Sequence, residues 1–314
     1  MSIINYLEPD SRWSLWHCKT HEEFIEKFLV KGKFHENVPE SVVKAYEVVE
    51  RIIAYSFFYY PLFDEAIAKT TRIFETAVKI RCEQLGIKFS TKGHIPLQQY
   101  INKLKPHYPS LSEEWNRIKV LRNNLAHLDA HKFMGPINRF YAFQHLINNL
   151  NRLFITEDFA QIQNKHTQEI AEKSESFYNG VFVLECDNKR FLINGAKPYK
   201  MIVNGDKSYS YWIFSPVLRE FSKSFNEYNI NNPICKYLLN VEILDGCIKG
   251  IDLKNQQVVT LSITNNPQDI QNANKFIKDY SNADSSVQEQ YEYDTKDFIT
   301  KNYIQFEYEY LWLT

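Results

Sequence analysis

Arg122, Asn123 and His127, in the segment RNNLAH within SEEWNRIKVLRNNLAHLDAH, are the residues whose types and context best suit acid–base work on an anion. A guanidinium grips an anionic oxygen through two parallel N–H donors, and an imidazole titrating near neutrality can take or give a proton. Spacing by itself separates little. With ten arginines and nine histidines in the chain, Arg12 with His17 and Arg139 with His145 fall in the same range of gaps. Context distinguishes the third pair. At about 100° per residue, Ile118, Leu121, Leu125 and Leu128 share one helix face, while Asn123, His127 and His131 form an i, i+4, i+8 row on the other. The row keeps His127 out of a core, and it fits the solvated face of a bundle helix as well as a cleft.

The helix that carries this row belongs to a helical first half. Apolar residues recurring at three and four predict helices over 20–30, 40–59, 62–85, 96–104, 112–128 and 136–154. Ser110 with Glu113 reads as a capping box, Pro136 after Gly135 as a first helical position, and Gly86 after Leu85 as a helix stop.

Beyond about residue 176 the pattern changes. Asn179-Gly180, Asn194-Gly195, Asn204-Gly205 and Asp245-Gly246 punctuate short β-rich runs such as 181–185, 199–203, 209–214 and 258–263. Helices are predicted over 217–228 and 267–280, and the ending FEYEYLW alternates as a half-buried strand does. The fold class expected is therefore α+β: an all-helical domain over 1–160 with its core at about 40–155, a linker or helical extension over 161–176, and a smaller mixed domain rich in antiparallel strands over 177–314.

Composition narrows the function classes. The chain has 314 residues, a net charge of −1 and 44% hydrophobic residues, which excludes disordered, collagenous and supercharged proteins. Five cysteines without a CxxC pair suggest neither a disulfide framework nor a cysteine-rich zinc site. No apolar run is long enough to span a bilayer and no leader pattern opens the sequence, so a cytoplasmic protein is expected. Residues 60–125 hold 11 basic against 6 acidic residues, a balance that attracts phosphate backbones and that solvated helices also show. Lys88, Lys92, Lys103, Lys105 and Lys119 are the RNA-binding candidates in that stretch. Phosphate-loop, GxGxxG, HExxH and GxSxG signatures are absent.

With RNNLAH in the penultimate helix of a compact helical domain, preceded by a long helix containing FETAVKIRCEQLGI, residues 40–155 resemble the HEPN superfamily, whose signature is Arg, a polar residue, a few positions and His. The resemblance implies a metal-independent ribonuclease, without cofactor, that acts as a homodimer through the helical domain with two motifs facing each other. It also implies a toxin or antiphage effector, an antitoxin or regulatory partner, and control by the C-terminal domain. Attack of an RNA 2′-hydroxyl needs a base, an acid and positive charge on the phosphate. The resemblance implies that two copies of His127 divide the proton work, that two Arg122 hold the phosphate, and that Asn123 orients His127 or bonds a phosphate oxygen.

Glu75 and His131 are accessory candidates. Glu75 reads as an orienting carboxylate or as the i+4 partner of Lys79, and His131 as an RNA contact or a helix-terminal histidine. The run Tyr55–Phe63 suits a buried helix pair or a dimer face better than base stacking. No catalytic constellation stands out after residue 176. The alternative function is a non-catalytic HEPN-like binding or dimerisation module with a ligand- or partner-sensing C-terminal domain.

Overall fold

A computed structural model describes residues 6–89, 93, 95–108, 111–125 and 135–312. The chain is α+β, with helices up to Ile155 and six antiparallel strands beyond. It forms two compact units, one of the described residues up to Ile155 with Trp312, the other of Thr156–Leu311. Among the described residues no helix is long and apolar enough to cross a membrane.

The first unit comprises α1 (His21–Phe28), α2 (Glu40–Tyr55), α3 (Leu62–Gln84), α4 (Leu97–Leu104), α5 (Ser112–Leu125) and α6 (Pro136–Arg152). Local chemistry sets several ends. Thr20 and Glu23 close a capping box on α1, Pro136 opens α6, and Gly86, at φ +67°, follows the end of α3. Ala66, Ile67, Thr70, Phe74, Ala77 and Val78 bury the face of α3, the helix that packs against α2, α4, α5 and α6. The capping box expected at Ser110 lies outside the described residues.

The second unit is a closed barrel of β1 (Phe182–Cys186), β2 (Lys189–Asn204), β3 (Lys207–Pro216), β4 (Ile234–Leu244), β5 (Cys247–Asp252) and β6 (Val258–Ile263). Each strand pairs antiparallel with the next, and β6 closes on β1 with Phe182 opposite Ile263. Closure removes the open edges that would otherwise invite pairing with other chains. Leu184, Ile193, Trp212, Phe214, Leu238 and Leu261 belong to its packed core. Around it lie α7 (Glu157–Lys173), α8 (Pro267–Ser281) and α9 (Ser285–Tyr310). The Gln163 amide of α7 bonds both the N–H (3.1 Å) and the C=O (3.2 Å) of Val203, so residues 161–173 are helix packed on β2.

Three local expectations fail. Residues 217–228 hold only the 3₁₀ turn Phe225–Glu227, and Phe221 is instead buried against Phe276, Tyr280 and Tyr291. The ending FEYEYLW forms the end of α9 rather than a strand. Tyr303, Phe306 and Tyr310 recur at helical spacing, with Phe306 5.9 Å from Tyr211 and Tyr310 stacked 5.7 Å from Tyr209, a period that a seven-residue window cannot show. Asn194-Gly195 makes no turn, because it lies inside β2 at a bulge, and a Cβ on Gly195 would stand 2.4 Å from the Tyr178 carbonyl oxygen. The tight turn between β1 and β2 is Asp187-Asn188, both at positive φ.

Candidate functional site

α5 is fixed against the rest of the helical unit from below and from its sides. Trp115 is fully buried, 5.2 Å from Tyr108 and 6.4 Å from Phe74, and Ile118 is buried one turn further on. Arg152 of α6 pairs with Glu114 at 2.6 Å, and Lys119 donates to the Gln98 side chain of α4. The Tyr108 hydroxyl accepts from Arg81 at 2.7 Å and donates to the Leu153 carbonyl at 3.0 Å. These contacts hold α5 as far as Lys119, and the last turn beyond it carries Arg122 and Asn123.

Arg122 Nη2 donates to Glu75 Oε2 at 3.0 Å, and Lys79 Nζ donates to Glu75 Oε1 at 2.9 Å. One carboxylate thus uses both oxygens on two cations. Glu75 is only 8% exposed, so an uncompensated charge there would be costly, and the two cations offset that cost. Burial pushes the Glu75 carboxyl up, but the hydrogen bonds and charges of Lys79 and Arg122 outweigh it and hold it below the ordinary glutamate range. Lys79 also lies 5.8 Å from the Tyr100 ring centre. On its other side, Arg122 Nη1 donates to Asn123 Oδ1 at 3.2 Å. Arg122 stays 36% exposed and Asn123 is exposed, so the guanidinium is oriented from within and still reachable by an anion.

The structure therefore brings together Glu75, Lys79, Arg122 and Asn123. His127, His131 and Lys92 lie outside the described residues. Lys88, Lys103 and Lys105 are exposed around α4, while Lys119 is half-buried and engaged with Gln98. Sequence reasoning left Lys79 as a surface partner of Glu75. Its part in holding Arg122 depends on a contact across 47 residues that no local pattern announces.

The two other Arg–His spacings have different surroundings. Arg139 is buried in an ion pair with Asp64. His145 is buried, which favours its neutral form and lowers its pKa. In the aromatic run, Phe57, Tyr60 and Phe63 are buried, whereas Tyr55 and Tyr59 stay exposed beside Val48 and Ile52 along an apolar hollow.

Near the start of the barrel unit's β4, Lys236 Nζ lies 2.7 Å from both Asp187 and Asp252, and Asp252 is almost wholly buried. Asp252 also accepts from the Lys254 N–H at 2.9 Å, so these groups knit the turn after β5 to β4. No family model, curated protein or solved structure matches this chain.

Proposed function

We propose that the chain is an endoribonuclease that cleaves RNA without a metal ion, by attack of a 2′-hydroxyl on the adjacent phosphate. The site is composite, built from the RNNLAH segments of two copies of the chain joined through their helical units. The observation that carries this reading is the placement of Arg122: a guanidinium aimed by a buried carboxylate, partly exposed, beside an exposed amide on the last turn of α5. A cation held in advance stabilises developing phosphate charge without reorganising during the reaction. In this reading Arg122 holds the phosphate, one His127 removes the 2′-hydroxyl proton, and the second protonates the 5′-oxygen leaving group. Asn123 bonds a phosphate oxygen or orients His127, and Glu75 with Lys79 positions Arg122.

The resemblance of residues 40–155 to HEPN domains supplies the reaction class, and with it a toxin or antiphage role under control of the barrel unit and of a regulatory partner. The test is cleavage of total RNA and tRNA in EDTA by the wild type, Arg122→Ala and His127→Ala, with circular dichroism to show that the variants fold. Fragments ending in 2′,3′-cyclic phosphate, lost in both folded variants, are expected. Intact RNA with the wild type across salt and protein concentration overturns the reading in favour of a non-catalytic module, in which the Glu75–Arg122 pair serves the fold alone.

A further inference from the structure

Lys69, Arg72, Thr76 and Lys79 fall along one side of α3, and Glu65 and Glu83 close that strip at its two ends. The cations span about 15 Å of helix at 1.5 Å per residue. Beside them, between α2 and α3, is a cleft of about 160 Å³ lined by Lys69, Arg72 and Thr76 of α3 and Ser41 and Ala45 of α2, together with the apolar Val42 and Ile73. It exists because α2 places two small side chains, Ser41 and Ala45, one turn apart opposite α3.

The polar part of the lining has the chemistry of an anion site. Lys69 and Arg72 bring positive charge, and the Ser41 hydroxyl is a further donor. The Thr76 hydroxyl already donates to the Arg72 carbonyl at 3.1 Å, and Arg72 Nε to the Ala68 carbonyl at 3.2 Å, which leaves the two Arg72 Nη groups as its outward donors. No carboxylate lines the cleft, and the acid paired with Arg72, Glu65, sits at 3.8 Å with both side chains about 60% exposed, a loose contact that an anion can replace. The volume is below the roughly 300 Å³ at which pockets for drug-sized ligands begin, so a compact group fits and a nucleoside does not.

Arg72 precedes Glu75 by three residues, and Glu75 is the acid that holds Arg122. The helix that lines the cleft therefore also carries, one turn further on, the acid that holds the exposed guanidinium of α5. We infer that this cleft binds a backbone phosphate of the RNA strand whose scissile phosphate Arg122 holds; the inference rests on the ribonuclease reading above. Such a contact fixes the path of the strand and carries no base specificity.

The test uses the full chain and two probes: a fluorescent 2′-O-methyl oligouridylate, whose blocked hydroxyl prevents cleavage, and the matching RNA. Two variants act on the cleft by different routes. Lys69→Gln with Arg72→Gln removes its charge, and Ser41→Phe fills it from an exposed position. Each is expected to weaken binding of the 2′-O-methyl strand about tenfold at low salt and to lower the salt slope by roughly 1 to 2. On RNA, KM rises while kcat is kept, and Glu65→Gln tightens binding. Unchanged affinity and KM in Ser41→Phe and the double variant overturn the site while leaving the ribonuclease reading intact; should the double variant misfold, Ser41→Phe decides alone. A wild type that binds with these dependences and does not cut supports the site and overturns the ribonuclease reading. A wild type that does not bind the oligonucleotide overturns the site.

Discussion

Glu75 and Arg122 meet at 3.0 Å across 47 residues of sequence, joining the middle of α3 to the last turn of α5. Since Lys79 occupies the other carboxylate oxygen, Glu75 sets both the charge balance and the direction of Arg122.

The pair should show itself energetically. Glu75→Gln and Arg122→Ala each destabilise the helical unit by about 1 to 3 kcal/mol, since each leaves a partner of a charged hydrogen bond unmatched. In a double-mutant cycle read by urea unfolding, the two losses are not additive, with a coupling of about 0.5 to 3 kcal/mol. A coupling indistinguishable from zero would mean that the contact does not hold α5 in solution.

Acid should reveal two groups, whose windows begin at different pH. The folded-state pKa of Glu75 is depressed, so its stabilisation is complete above the unfolded value near 4.5 and erodes as pH falls from there. His145 is also depressed, by burial, so the stability tied to its neutral form is complete above the ordinary value of 6.5 and erodes as pH falls below that. Thermal melts across pH are expected to flatten between about pH 6.5 and 4 in His145→Gln and below about pH 4.5 in Glu75→Gln. Identical pH profiles for wild type and variants would contradict both placements.

Arg122→Lys keeps the charge and loses the planar fork, so cleavage should fall by about 100- to 1,000-fold while the protein stays folded. Mixing Arg122→Ala with His127→Ala protein should restore nothing, because each composite site still lacks one arginine and one histidine. Substantial activity from either single variant refutes the roles assigned to these side chains.

Gly195→Ala tests the barrel. A methyl group there meets the Tyr178 carbonyl oxygen at 2.4 Å, so the backbone of β2 or of the segment before β1 has to move. A loss of about 1 to 3 kcal/mol is expected in chemical denaturation. Wild-type stability in this variant would show that the bulge adapts freely.

Much of this architecture is legible from periodicity and caps. The helices from α1 to α6 follow apolar repeats, and Gly205 and Gly246 mark hairpin turns because their positive φ suits glycine. Failures come where long-range packing decides. Asn194-Gly195 has the letters of a turn, but its glycine serves close backbone approach, and the alternation in FEYEYLW is a short sample of a longer helical stripe. Barrel closure depends on β6 meeting β1 across 81 residues, from Phe182 to Ile263, which local patterns cannot encode. In the candidate site, Arg122 is visible as a residue type in an amphipathic helix, whereas its partner is visible only as half of an ordinary Glu75–Lys79 pair.

Trp312 belongs to the helical unit, where its Nε1 donates to Asn148 Oδ1 at 2.7 Å and its ring lies 5.9 Å from that of His35. During synthesis the ribosome must therefore make every residue of the barrel unit before the helical unit receives this side chain. The domain begun first is the one finished last, so nascent chains halted within the barrel carry a helical unit with an unfilled tryptophan position, and completion of Trp312 marks the moment at which that unit can reach its full stability.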